Sequence, residues 1–164
     1  MQAAEEIVKG LKTFPLLSRL PDEDLARLSS IMKEEHFPAG TEILREGEPG
    51  DKLYLLWEGC VDVLKTTPYG ESYVNASLRD SYHCSFGEMA LIDRGTRSAT
   101  IRAKTDCRTL SLSYEDFQSF CRTYPAVGLE LLMSISATLV RNLRAENENL
   151  RIVYQALIEE IEAH

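Results

Sequence analysis

The chain has 164 residues, 44% hydrophobic and 27% charged, enough for one domain with a core plus an appendage and too few for two ordinary domains. No apolar run approaches bilayer length, and Met1-Gln2-Ala3-Ala4-Glu5-Glu6 lacks the basic lead and apolar block of a secretory signal, so a soluble, cytoplasmic protein is expected. A formal net charge of -8 sets an acidic surface against nucleic acid and anionic membrane, so an anionic ligand would need a local positive site.

Residues 1-36 read as N-terminal helices. Pro21 suits a first helical position, Asp22, Glu23 and Asp24 suit a helix N-terminus, and Leu25, Leu28 and Ile31 recur on one face. From Phe37 onward Pro38, Gly40, Gly47, Pro49, Gly50, Gly59, Pro68, Gly70, Gly87 and Gly95 cut the chain into short pieces. Between them Leu53, Leu55 and Trp57 alternate, as do Val61 with Val63 and Leu110 with Leu112. Short strands joined by tight turns predict an α+β fold, an antiparallel β-roll of jelly-roll type over residues 37-124. Ser113 is the expected N-cap of a further helix, with Asp116 close to a capping-box partner.

Pro125 then starts a helix, and from Val127 to Ile161 no proline and no glycine after Gly128 interrupts it. Residues 125-164 are therefore read as one long helix. With Val140 at position a of a heptad, Leu143, Leu150 and Leu157 hold d, while Asn147, Tyr154 and Ile161 hold a. A single polar a position selects a parallel two-stranded coil, which predicts a homodimer; the other use of such a stripe is packing on the chain's own roll.

Cys60, Cys84, Cys107 and Cys121 form no Cys-x-x-Cys pair, so neither a zinc site nor a disulfide framework is expected, and the thiols should be reduced and mostly buried. His36, His83 and His164 are scattered, and no Gly-x-Ser-x-Gly elbow, His-Glu-x-x-His pair or P-loop occurs. No catalytic residue and no metal ligand is expected, and the chain is read as a non-enzyme.

The stretch from Phe86 to Thr100 carries the most chemistry. Phe86-Gly87 allows close approach of backbone to a ligand, and Glu88-Met89-Ala90-Leu91 can form one helical turn with its first amides exposed to an anion. Arg97 supplies a planar fork for phosphate oxygens, and Ser98 an amide and a hydroxyl. The same residues would serve a surface turn with an internal salt bridge.

This stretch, residues 86-100, resembles the phosphate-binding cassette of the cyclic-nucleotide-binding domain family, which includes the bacterial catabolite activator protein and the regulatory subunit of cyclic-AMP-dependent protein kinase. The run from Phe37 to Val63 resembles the same family, its glycines falling where the family turns its β-roll. The resemblance implies a cyclic nucleotide as ligand: Gly87 and Glu88 meet the ribose, and Arg97 pairs with the cyclic phosphate, helped by the amides of Ala90 and Ser98. Met89 is counted with the same turn. Ser81-Tyr82-His83-Cys84-Ser85 departs from the Gly-acid pair common in the family, so that turn must be built differently.

Laying the long helix on that of the activator places Glu146 and Asn147 at the base-reading positions. Both can accept from the amino group of adenine, and Glu146 also matches the two donors on the edge of guanine. Cyclic AMP is the expected ligand, with cyclic GMP and a ligand-free dimerisation scaffold as alternatives. A regulatory domain signalling through the dimer to a downstream effector or partner is expected. The chain reaches His164 before any helix-turn-helix, so neither nucleic acid nor membrane is an expected partner.

Overall fold

The alternation around Leu53 comes out as a strand buried on both faces. The computed structural model describes residues 2-163, and His164 lies outside them. In β3 (Lys52–Glu58), Leu53 and Leu55 face a cluster built with the helices, while Tyr54 and Leu56 face a second cluster between two sheets. All four side chains are almost completely buried. Burial of this kind is worth about 1.5–3 kcal/mol per large apolar side chain.

The remaining strands are β1 (Lys33–Phe37), β2 (Glu42–Leu44), β4 (Cys60–Thr66), β5 (Ser72–Arg79), β6 (Ser85–Phe86), β7 (Thr100–Ala103) and β8 (Cys107–Ser113). They form two four-stranded sheets, in the orders β1-β8-β3-β6 and β2-β7-β4-β5, with antiparallel pairing throughout. This is the expected antiparallel β fold with flanking helices. Its first strand opens at Lys33, ahead of the boundary expected at Phe37, because β1 pairs with β8 through Glu35 opposite Thr109. The buried hydroxyl of Thr109 donates to the carbonyl of Glu35 and that of Ser111 to the carboxylate of Glu35, which supports that register. At the β3–β4 corner Gly59 takes φ 101°, and a Cβ there would sit 2.5 Å from the carbonyl oxygen of Asp106.

Helices α1 (Gln2–Lys12), α2 (Asp22–Ser29), α3 (Tyr114–Thr123) and α4 (Pro125–Glu162) complete the chain. Pro21 is the N-cap of α2 rather than its first helical residue, and its carbonyl accepts from the amides of Asp24 and Leu25. Ser113 caps α3 as expected: its hydroxyl accepts from the Asp116 amide at 3.1 Å and donates to the Asp116 carboxylate at 2.6 Å. Leu25, Leu28, Phe117 and Phe120 carry the helices onto β3 and β8.

Helix α4 starts at Pro125 and runs for 38 residues. Gly128, Leu131 and Ile135 are buried and Leu139 packs partly against the same core; Val140, Leu143, Leu150, Tyr154, Leu157 and Ile161 are all exposed. The apolar stripe beyond Leu139 is therefore not spent on the chain's own roll.

Two expectations need correction. By length and composition α4 is apolar enough to cross a membrane: its early turns carry core-facing residues and an exposed apolar face together, which a search for an unbroken apolar run does not register. The thiols are free, but only Cys107 is buried; Cys60, Cys84 and Cys121 are part-exposed.

Candidate functional site

Two runs that are far apart in sequence are strapped together at the centre of the site. The amide of Arg97 donates to the carbonyl of Glu48 at 2.8 Å, Gly47 donates to the carbonyl of Arg97 at 2.9 Å, and Gly50 donates to that of Gly95 at 3.2 Å. A bridge between Pro49 and Thr96 completes the seam. The loop after β2 thus sets the backbone from which the Arg97 side chain leaves.

That side chain lies in a slot made by two glycines. A Cβ on Gly50 would fall 2.1 Å from Nε of Arg97, and one on Gly87 would fall 2.8 Å from its Nη1. Gly87 also takes φ 82°, which L side chains rarely adopt. The guanidinium is half-buried and donates to two carbonyls, that of Lys52 at 3.0 Å and that of Gly87 at 3.4 Å. Among the described residues no carboxylate forms an ion pair with it. Burial lowers its pKa below the usual guanidinium range, against the opposing pull of Tyr54, Asp51 and Glu88. A part-buried cation held by carbonyl oxygens and without a carboxylate partner has the chemistry to receive an anion.

Glu88 opens the 3-10 turn Glu88–Leu91. Its carboxylate accepts from the Ser85 hydroxyl at 2.9 Å. Burial pushes its carboxyl above the ordinary carboxylate range, opposed by its own backbone amide, by Ser85 and by the charge of Arg97. Of the neighbouring expected residues, Met89 is exposed and Ala90 is buried, its amide already donating to the carbonyl of Gly87 at 3.2 Å. Ser98 is exposed, and among the described residues neither its amide nor its hydroxyl has a partner.

The turn before the cassette is built on Asp80. Its carboxylate and amide pair with the amide and carbonyl of Gly59, each at 3.0 Å. His83 then takes φ 46°, sets its ring edge-on to Phe14 and shares a 3.1 Å hydrogen bond between Nδ1 and the Thr13 hydroxyl. Its role is to dock the segment after α1. Cys84 follows, its thiol pushed up to about 11 by burial.

These groups surround a cavity of about 780 Å³ between the roll and α4, within the size range of small-molecule sites. Gly87, Glu88, Met89, Ala90, Arg97, Ser98 and Glu146 all line it. Asn147 does not; it lies on the neighbouring face of α4, in line with the exposed apolar stripe. Glu146 meets Lys65 of β4, Nζ to Oε1, at 3.4 Å.

Sequence reasoning missed Gly50, the carbonyl of Lys52, and Lys65. It also missed Thr138, Arg141 and Asn142, which line the cavity from α4. Helical spacing carried a signal for part of this set, since stepping back four and eight positions from Glu146 reaches Asn142 and Thr138 on one face.

Residues 34-124 match the family described as Cyclic nucleotide-binding domain. The chain is similar to a cAMP-dependent protein kinase regulatory subunit of Aspergillus niger, 38% identical over 66% of this chain and 25% of that one. It is also similar to a CRP-like cAMP-activated global transcriptional regulator of Mycobacterium tuberculosis, 30% identical over 77% of this chain and 54% of that one. Among solved structures it resembles the catabolite activator protein of Thermus thermophilus, with a TM-score of 0.75 and 31% identity over 85% of this chain and 62% of that one. The chain thus spans a quarter of the fungal subunit and about half of the mycobacterial regulator.

Proposed function

The chain belongs to the cyclic nucleotide-binding domain family, and on that premise we propose that it is a regulatory sensor of cyclic AMP that signals through α4. The observation that carries this reading is Arg97: a half-buried cation with no carboxylate partner among the described residues, held in a glycine-walled slot beside a cavity of nucleotide size. A cyclic phosphate supplies the missing anion, and Ser98 offers an unused amide and hydroxyl beside it. Glu88 accepts from the ribose hydroxyl, and Glu146 reads the base from α4. The names of the fungal and mycobacterial relatives, both tied to cyclic AMP, support the choice of base.

The signal follows from the two-sided site. Ligand held by the roll at Arg97 and by α4 at Glu146 favours whichever arrangement of helix and roll lets both touch it, because only a difference in contacts shifts a population. The exposed stripe from Val140 to Ile161 joins a second copy as a parallel coiled coil, with Asn147 at the polar a position, and passes the shift to an effector domain or partner.

Calorimetry with Arg97→Ala tests the site. The substitution should weaken cyclic AMP binding by about 3 kcal/mol, as expected when a buried anion loses its cation. Unchanged affinity would refute the assignment. A thermal melt of the wild type that moves with neither cyclic AMP nor cyclic GMP would favour a scaffold with an empty roll, since a ligand of the native state must raise the midpoint.

A further inference from the structure

In the stretch of α4 that flanks the cavity, Thr138 to Glu146, the one hydrogen bond or ion pair to a strand among the described residues is the 3.4 Å contact from Nζ of Lys65 to Oε1 of Glu146. Both residues line the cavity, Lys65 part-exposed and Glu146 exposed, so the pair stands at its mouth. Glu146 lies beyond Leu139, the last α4 residue packed against the core, and Lys65 is the strand residue that meets its carboxylate.

We propose that Lys65 is a specificity-determining positioning residue that turns the site toward adenine. A carboxylate with both oxygens free matches the paired N1–H and N2–H donors on the edge of guanine. With Oε1 drawn toward the ammonium, the carboxylate is turned so that Oε2 is the oxygen best placed for a donor, which suits the amino group of adenine better than the paired donors of guanine. This rests on the cyclic-nucleotide reading and adds to it the reason an acid on α4 does not select cyclic GMP. The ammonium also offsets the charge of Glu146 at the mouth, an effect shared by both nucleotides, whereas drawing one oxygen aside penalises the two-donor edge of guanine more than the single amino group of adenine.

The test is the ratio of the cyclic GMP and cyclic AMP dissociation constants, measured by calorimetry on the wild type and on Lys65→Met, Lys65→Arg, Glu146→Gln and the Lys65→Met/Glu146→Gln double variant. Lys65→Met should lower the ratio by about tenfold, equivalent to about 1.4 kcal/mol, and Lys65→Arg should restore it. In the Glu146→Gln background, Lys65→Met should leave the ratio where Glu146→Gln alone puts it. A ratio unchanged by Lys65→Met, while the wild type binds cyclic AMP, overturns the role of Lys65 and leaves the sensor reading standing. A wild type that binds neither nucleotide overturns both. Equal weakening of both nucleotides in Lys65→Met marks a general charge effect and overturns the specificity role.

Discussion

Gly50 and Arg97 occupy one space: a single methyl group on the glycine would lie 2.1 Å from Nε and 2.3 Å from Cζ of the arginine. Gly50 is buried, and its backbone is not in the left-handed region, so alanine is conformationally acceptable there, and the three atoms nearest its methyl all belong to the Arg97 side chain. Gly50→Ala should displace Arg97 from its carbonyl partners and weaken cyclic nucleotide binding about ten- to a hundredfold, the range of a lost charge-assisted hydrogen bond. Calorimetry against a thermal melt is the check. Full affinity in this variant would mean that the guanidinium does not bind from the slot.

The raised carboxyl of Glu88 predicts a dependence on pH in the unligated protein. A group whose folded pKa lies above its unfolded value contributes stability that is complete below the unfolded value and is lost as pH rises through the folded one. Glu88→Gln removes that loss and keeps a partner for Ser85. Its melting midpoint should exceed that of the wild type at neutral pH, and the two should converge below about pH 4. The same variant should bind cyclic AMP more weakly. Midpoints that stay parallel across the range would show that Glu88 ionises without cost.

The coiled coil is tested at Leu150, a d position with half its surface exposed. Leu150→Glu places like charges against each other at the seam. Sedimentation velocity at micromolar concentration should show a dimer for the wild type and a monomer for the variant, with the melting of the roll unchanged because Leu150 packs on none of it. A wild-type monomer under these conditions would remove the seam.

Much of the fold was legible because it rests on local chemistry. The Ser113 cap, the break at Pro125, the alternation of β3 and the positive-φ glycines each announce themselves within a few residues. In the cassette, Glu88 and Arg97 were legible as residue types, and the structure brings both to one cavity. What stayed hidden depends on contacts between distant segments. Nothing around Gly50 shows that it walls Arg97, and nothing around Lys65 shows that it reaches Glu146. The burial of both faces of β3 was hidden for a related reason, since Tyr54 and Leu56 face a second sheet that no local period reveals. Asn147 shows the limit of transferring positions along a helix: one residue, a rotation of about 100° past Glu146, separates the cavity face from the seam face.

Lys52 carries its two kinds of polar group into different worlds. Its ammonium makes a part-buried pair with Glu35 at 2.9 Å, while its carbonyl steadies the guanidinium of Arg97 at 3.0 Å. Truncating the side chain would register as the loss of a part-buried ion pair and leave the anchor in place. The contribution of this residue to recognition belongs to its main chain, so a side-chain scan of the molecule would pass over it, and only an edit of the backbone amide itself, such as an ester for the Lys52–Leu53 peptide bond, would bring it to light.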